Sequence, residues 1–119
     1  RNFGVSVSQG RYLLFLDADD ELHPHALAHF RQALRAQPKA LLIVSEYIAR
    51  SAKSGDKLKK FHFDARCQQN FKRFVQRKIN LAHGAFIVHR AIFDAITYPE
   101  ALIGREDRVF FGWLLARYE

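Results

Sequence analysis

Leu-Leu-Phe-Leu-Asp-Ala-Asp-Asp, residues 13–20, carries the strongest structural signal in this chain, because four apolar residues run directly into three carboxylates. The apolar run follows Gly10 and is typical of a strand buried in a parallel sheet. Ligands of open α/β sheets bind at the carboxyl ends of such strands. We therefore expect the carboxylates to lie at the mouth of a cleft, where a cation would offset their mutual repulsion.

Two other interpretations of these acids concern local structure. Asp20 or Glu21 could cap the following helix, which explains one acid but not three. An EF-hand loop counted from Asp17 needs Gly at its sixth position and Glu at its twelfth, where this chain has Leu22 and Ala28. The calcium-loop interpretation is therefore excluded, and helix capping stays open.

Hydrophobic periodicity and turn residues predict the remaining elements. Leu27, Phe30 and Leu34 share one face of a helix that begins near Pro24 and ends before Pro38. Further helices are predicted over 1–9, 67–79, 90–96 and 107–118, strands over 11–16, 40–48, 61–63 and 83–89, and a polar loop over 51–60. The alternation of strands and helices within 119 residues predicts one α/β domain.

Three motifs give the chain a resemblance to a known family. Arg-Asn-Phe-Gly at 1–4, followed by the strand that ends in Asp-Ala-Asp, resembles the Arg-Asn-x-Gly helix and Asp-x-Asp strand of family-2 glycosyltransferases of the GT-A fold. Gly-Arg-Glu-Asp at 104–107 resembles that family's Glu-Asp element, and residues 84–90 resemble its strand with a trailing Arg. The motifs stand in the family's order across nearly the whole chain.

The resemblance implies a fold and a domain boundary. The fold is expected to be α/β, the C-terminal portion of a GT-A (nucleotide-diphospho-sugar transferase, Rossmann-like) domain with a mixed sheet flanked by helices. Residues 1–119 would form one partial domain with a basic insertion at about 50–78. Because the chain starts at Arg1, contains no Met and lacks the family's upstream nucleotide-binding region, we expect it to be a fragment.

The resemblance also implies a reaction, the inverting and metal-dependent transfer of a sugar from a nucleotide-diphosphate sugar to a glycan or lipid-linked acceptor. Asp17, with Arg1 and Asn2, would contact the donor. Asp19 and Asp20 would hold Mn²⁺ or Mg²⁺, which suit oxygen ligands. The cation would neutralise charge developing on the diphosphate leaving group.

Acceptor-side roles fall on the second acidic motif. An inverting transfer needs a base for the acceptor hydroxyl, and Asp107 matches the family's base. Glu106 would orient the acceptor or stabilise its loop. Both acids are also predicted near a helix N-terminus, where the helix dipole alone would favour them. Arg105 and Arg108 either hold phosphate or acceptor anions or are solvated.

The net charge of +7 is concentrated in residues 50–78, which hold ten Lys or Arg and two Asp. The predicted helix over 67–79 is basic and amphipathic, so it either packs on the core with a solvated face or forms an electrostatic seat for an anionic acceptor, the donor's phosphates or a membrane surface. No apolar run reaches about 18 residues, the length of a membrane span. The lone Cys67 suits a reducing compartment.

The resemblance, together with these features, implies a bacterial cytoplasmic enzyme of polysaccharide biosynthesis. It would contact the inner face of the membrane peripherally through residues 50–78. Exposed sheet edges and apolar surface predict a homo-oligomer.

The acidic motif and the basic segment each suggest an alternative function. A phosphatase-like hydrolase would use Asp17 as nucleophile and Asp19 as general acid, but its Asp-x-Asp is followed by Gly-Thr, where this chain has Asp20 and Glu21. A basic module for nucleic acid would use residues 50–78, yet no RNA-binding motif is present and we predict no nucleic-acid partner.

Histidines add one further candidate. His25 and His29 have a zinc-like spacing without a third ligand, so solvated side chains are expected. His83 begins the strand that leads toward the cleft and is a further site candidate.

Overall fold

The elements are short and lie close to the predicted positions. A computed structural model describes residues 1–60, 63, 69–102 and 104–118. The helices are α1 (Asn2–Val7), α2 (Ala26–Ala36), α3 (Asn70–Val75), a 3-10 helix (Arg90–Asp94) and α4 (Glu106–Arg117), and the strands are β1 (Tyr12–Leu13), β2 (Leu42–Val44), β3 (Tyr47–Ala49), β4 (Lys57–Lys59) and β5 (Phe86–His89). The predicted strand over 61–63 and Cys67 lie almost wholly outside the described residues.

The main sheet has the strand order β1-β5-β2, with β5 in the centre. Both pairings are antiparallel, with Tyr12 opposite His89 and Ile43 opposite Ile87. The prediction of a parallel strand at 13–16 is therefore wrong for the pairing seen here. An apolar run indicates burial but does not carry the direction of the neighbouring strand, which is set by how the chain returns from β2 to β5.

The ladder between β1 and β5 ends early because the chain turns at Gly84. The backbone of Gly84 has a φ of +78°, and its amide donates to the Phe15 carbonyl over 2.5 Å. Residues 14–16 continue beside this turn without regular pairing, and Leu16 is 46% exposed. The predicted strand of six residues is thus a two-residue strand with an irregular extension.

The prediction of one strand over 40–48 and a polar loop over 51–60 is also wrong in detail. Ser45 donates its amide to the Ala85 carbonyl over 2.8 Å, and beyond it the chain leaves β5. It then forms a separate hairpin in which β3 pairs with β4. Residues 50–60 are all exposed, so β4 is held by cross-strand pairing with β3 and not by burial of its own side chains.

The core lies between the main sheet and α4. Phe86 and Val88 of β5 pack with Phe110, Phe111 and Leu114 of α4, all fully or nearly fully buried. Trp113 of the same helix is 48% exposed and lies outside this core. The helix begins one residue before the predicted start and has both acids in its first turn.

The C-terminal end of helix α1 is held by Arg90. The Arg90 guanidinium donates to the carbonyls of Val5, Ser8 and Gly10 and to the Ser8 hydroxyl. No residue of α1 is buried, so these bonds fix its C-terminal end.

Helix α2 buries only Phe30, and Leu27 of its predicted apolar face is 64% exposed. It begins at Ala26 with His25 as N-cap and without a side-chain cap bond, so the acids near residue 20 do not cap it. Within the described ranges, no helix combines the length and apolar character needed to cross a membrane.

Candidate functional site

Arg1 brings the two acidic motifs together. Its guanidinium donates to Asp17 Oδ1 over 3.1 Å and to Glu106 Oε1 over 2.5 Å. The three side chains are between 28% and 43% exposed, so they lie at the protein surface and are partly desolvated. The Arg1 guanidinium thus joins Asp17, at the end of the apolar run 13–16, to the first turn of α4.

Both carboxylate oxygens of Asp17 are engaged. Oδ1 accepts from Arg1, and Oδ2 lies 3.3 Å from His83 Nδ1. The backbone turns directly after it, with the Asp20 amide donating to the Asp17 carbonyl over 3.0 Å. Burial raises the pKa of the Asp17 carboxyl, but the hydrogen bond from Arg1, the neighbouring His83 and the charge of Arg1 together outweigh this, and the pKa lies below its usual value. Asp17 is therefore ionised, with lone pairs left for a ligand.

His83 is buried behind Asp17, with its side chain 3% exposed. Its ring packs against Phe15, Phe86 and Phe111 at centroid distances between 5.5 and 6.0 Å. Its Nε2 lies 3.0 Å from the hydroxyl of Tyr98. The imidazole therefore connects the surface carboxylate to a buried phenol.

Asp17, His83 and Tyr98 form a hydrogen-bonded relay, and the protonation state of each group follows from its surroundings. Burial raises the pKa of the Tyr98 hydroxyl well above its usual value, so this group keeps its proton. Burial and the charge of Arg1 lower the pKa of His83 more than Asp17 raises it. A neutral His83 then donates from Nδ1 to Asp17 and accepts at Nε2 from Tyr98, which satisfies both neighbours.

Asn2 fixes the position of Tyr98. Its Nδ2 donates to the Tyr98 carbonyl over 2.8 Å, and its Oδ1 accepts from the Tyr98 amide over 3.0 Å. Nδ2 also reaches Glu100 Oε1 at 2.9 Å, and the Arg1 guanidinium lies 5.5 Å from the centre of the Tyr98 ring. Asn2 thus contacts the loop at 98–100, whereas Arg1 contacts Asp17.

Glu106 and Asp107 occupy the first turn of α4, where the helix dipole favours acids. A hydrogen bond from its own backbone amide and another from Arg1 lower the pKa of the Glu106 carboxyl. Asp107 is half-buried, and its Oδ1 accepts from the Arg108 amide over 2.7 Å. The dipole explains the presence of both acids, and the bond to Arg1 also ties Glu106 to Asp17.

Asp19 and Asp20 follow Asp17 in the chain but take no part in the ion pairs of this cluster in the described residues. Both are exposed. In the ranges that the structure describes, no group of three His, Cys, Asp or Glu side chains is arranged to hold a metal ion. A cation at this edge would therefore take only one or two ligands from these aspartates.

Comparison with known sequences decides the family. The sequence model described as glycosyl transferase family 2 matches residues 1–97. The chain belongs to glycosyltransferase family 2. This glycosyltransferase chain is also 31% identical over 106 residues to the uncharacterized protein y4gI of Sinorhizobium fredii (strain NBRC 101917 / NGR234). That alignment covers 88% of this chain and 10% of the relative, so the chain spans about a tenth of the relative's length. No solved structure matches this chain.

Family membership confirms the predicted family and the α/β class of a GT-A-like fold, and it supports sugar transfer in general. In this glycosyltransferase chain the structure joins Arg1, Asp17 and Glu106 directly, places Asp107 in the same helix turn, and leaves Asp19 and Asp20 exposed. Sequence reasoning missed Tyr98, which it placed in a loop. It gave His83 a minor part, although a histidine within an otherwise apolar stretch was a usable signal.

Proposed function

We propose that this domain transfers a sugar from a nucleotide-diphosphate sugar to a glycan or lipid-linked acceptor, with inversion at the anomeric carbon and with a divalent cation. The observation that carries the proposal is the bridge from Arg1 to both Asp17 and Glu106. It joins the acidic motif that would face the donor to the one that would face the acceptor. A transferase must bring its two substrates together at one such point.

Asp17 supports a donor-binding role. The carboxylate is ionised, and Arg1 and His83 hold it from two sides, so hydroxyl groups of the donor would meet an oriented acceptor of hydrogen bonds. Arg1 lies beside it with a permanent positive charge suited to the diphosphate. The phosphatase alternative needs a lysine near Asp17, whereas the side chains that contact the Asp17 carboxylate in the described part of the chain are Arg1 and His83.

The exposed aspartates fit a cation that arrives with the donor. Mg²⁺ commonly takes one or two carboxylates from the protein and its other ligands from substrate phosphates and water. Asp19 and Asp20 offer that number of carboxylates at the surface beside Asp17. A bound Mn²⁺ or Mg²⁺ would neutralise negative charge on the departing diphosphate.

On the acceptor side, Asp107 would take the proton of the attacking hydroxyl. The hydroxyl oxygen bonds to the anomeric carbon while the bond from that carbon to the diphosphate oxygen breaks, and the nucleoside diphosphate leaves. Glu106, held by Arg1, would orient the acceptor next to this base. The half-buried position of Asp107 beside Glu106 supports the assignment.

The hairpin of β3 and β4 supports a peripheral membrane contact. Ile48 and Leu58 are opposite one another, 59% and 52% exposed, and exposed Lys57 and Lys59 flank Leu58. An exposed apolar pair on a hairpin that also carries exposed lysines suits an anionic lipid surface. Such a surface on the cytoplasmic side of the membrane would keep a lipid-linked acceptor near the site.

The decisive test is calorimetric titration of the complete natural protein with Mn²⁺ and a panel of nucleotide-diphosphate sugars. We expect one donor to bind only with the metal, and Asp19→Ala to abolish that binding. Asp94→Ala, an exposed acid on the 3-10 helix, is the matched control and should bind normally. Absence of donor binding by the folded natural protein would refute the proposal.

The base assignment has a separate test. We expect Asp107→Asn to lower kcat by about a hundredfold or more while the donor Kd stays unchanged, because general-base catalysis is worth about 10²–10⁴. A small loss in kcat would show that another group takes the proton.

The membrane contact is measured by sedimentation with vesicles. Phosphatidylglycerol vesicles should bind the protein, and Ile48→Ser with Leu58→Ser should weaken that binding without affecting donor affinity. Equal binding to neutral phosphatidylcholine vesicles would refute the charge argument.

A further inference from the structure

A concave surface separate from the cluster of Arg1, Asp17 and Glu106 lies beside the first turn of α4. It is an open pocket of about 420 Å³ lined by Arg77, Ile79, Asn80, Arg105 and Arg108. Three of these five side chains carry a permanent positive charge. Nothing in the site described above uses this pocket.

The three charges have no acidic partner in the described ranges, where every ion pair involves Arg1, Arg50 or His83. Arg108 is nevertheless held in place, because its guanidinium lies 4.7 Å from the Phe74 ring centre and its Nη2 lies 3.4 Å from the Phe74 carbonyl. The pocket therefore presents unbalanced positive charge from at least one ordered guanidinium.

The backbone under Arg77 is unusual. The Arg77 amide donates to the Phe74 carbonyl over 3.0 Å, and the Lys78 amide donates to the Arg73 carbonyl over 2.8 Å. This pattern ends α3 in a Schellman motif, whose left-handed position normally holds glycine. Arg77 holds that position with a φ of +60°. Ending the helix would therefore favour glycine at this position, and the arginine side chain is not explained by helix termination.

Arg105 repeats the same feature on another element. It is the N-cap of α4 and has a φ of +68°. Arg77 and Arg105 are the two non-glycine residues with positive φ in the described part of the chain, and both line this pocket. Left-handed backbone is uncommon for such residues and is concentrated at functional sites. The coincidence indicates that their side chains serve a ligand.

The location identifies the side of the reaction. Arg105 and Arg108 flank Asp107 in the chain, so the pocket lies at the end of α4 that carries the proposed base, although Asp107 itself does not line it; the donor would meet Asp17 and Arg1. Guanidinium forks match phosphate oxygens, and three positive charges suit a group that carries more than one negative charge.

We propose that Arg77, Arg105 and Arg108 bind a phosphate group of the acceptor, so that the acceptor of this transferase is a phosphorylated molecule. The assignment to the acceptor rests on the proposed transferase function, whereas the phosphate site itself does not. The donor's diphosphate is the other source of the same chemistry, and the experiment separates the two.

Two substitutions remove charge while suiting the local backbone. Arg77→Gly places glycine at the left-handed position of the Schellman motif. Arg105→Asn places a residue that tolerates positive φ and is a preferred N-cap. Both variants should fold at least as well as the natural protein, so a loss of binding would not reflect unfolding. Arg31→Gln, an exposed site on α2, is the control for a change in net charge alone.

The first measurement is calorimetric binding of inorganic phosphate to the complete natural protein, at low salt and without metal. We expect Arg77→Gly and Arg105→Asn each to raise the phosphate Kd by about tenfold and Arg31→Gln to leave it nearly unchanged. If both pocket variants bind phosphate as tightly as Arg31→Gln does, the phosphate site is refuted.

The second measurement is binding of the sugar nucleotide with Mn²⁺ to the same variants. Unchanged donor affinity supports the acceptor assignment, and an equal loss for donor would overturn it in favour of the donor's diphosphate. A natural protein that binds phosphate in the pocket but no sugar nucleotide would contradict the transferase function alone. The two proposals therefore fail separately.

Discussion

Replacing Tyr98 with phenylalanine tests the relay behind Asp17. The change removes one oxygen and keeps the ring, which stacks on Phe110 at a centroid distance of 4.1 Å and is 4% exposed. The lost hydroxyl is the group that donates to His83 Nε2 over 3.0 Å. His83 would keep a buried acceptor with no donor, while its bond to Asp17 remains.

The expected cost follows from that unpaired nitrogen. Leaving a buried acceptor unsatisfied costs about 1–3 kcal/mol. We place Tyr98→Phe in the upper half of this range, because the His83 side chain is 3% exposed and its neighbours are aromatic. The free energy of unfolding should therefore fall by about 2 kcal/mol.

Equilibrium urea unfolding measures the change, with an unaltered m value as the sign that only stability has moved. Tyr118→Phe is the matched control, since Tyr118 is 39% exposed and its replacement should cost less than about 0.5 kcal/mol. The ¹⁵N shifts of His83 should report a proton on Nδ1 in the natural protein. A Tyr98→Phe cost equal to that of the control, or a proton on Nε2, would refute the relay.

Three further predictions concern neighbouring features. The pKa of His83 in the folded protein lies below the 6.5 of an unperturbed histidine. The neutral ring therefore contributes fully to the free energy of unfolding above pH 6.5, and this contribution is lost as the pH falls toward the pKa of the folded state. Unfolding measured at a series of pH values should show this loss in the natural protein and not in His83→Gln. The charged or titratable groups that interact with His83 include Arg1 and Tyr98 and the three acids Asp17, Glu106 and Asp107. Arg90→Lys should cost about 1.5–3 kcal/mol and speed hydrogen exchange in α1, because a lysine cannot reach three carbonyls at once, and unchanged exchange would contradict the anchor. Gly84→Ala should cost about 1–3 kcal/mol in urea unfolding, because its φ is +78° and the added Cβ would lie 3.2 Å from Leu16 Cδ1, whereas Gly4→Ala, with no atom within 4 Å, should be neutral or stabilising.

The sequence predicted the helices better than the strands. The bounds of α4 were predicted to within one residue, because acids mark its start and an apolar face continues to its end. The strand at 40–48 divides after Val44, since backbone bonds to β5 and then to β4 determine where pairing stops. No local pattern carries that information. The lysine-rich β4 has exposed residues only, so its sequence showed no strand signal.

The candidate site was predictable as far as its motifs were. Asp17, Glu106, Asp107 and Arg1 were named as candidates from their motifs, and the roles assigned to them stay predictions. The bonds from His83 to Asp17 and Tyr98 join distant parts of the chain, and no spacing rule reports such contacts. The two arginines with positive φ could not be found either, because nothing in the residue type announces left-handed backbone. The metal ligands, the inverting course and self-association stay predictions.

Helix α1 has six residues and buries none of them, so it is too short to persist on its own. Arg1 and Asn2 tie its beginning to the acidic cluster and the Tyr98 loop, and Arg90 ties its other end beside β5. A substrate that draws Arg1 away from Asp17 would release one of these ties. The helix would then loosen on occupancy and tighten on product departure, which makes the exchange rates of its amides a reporter of each stage of turnover.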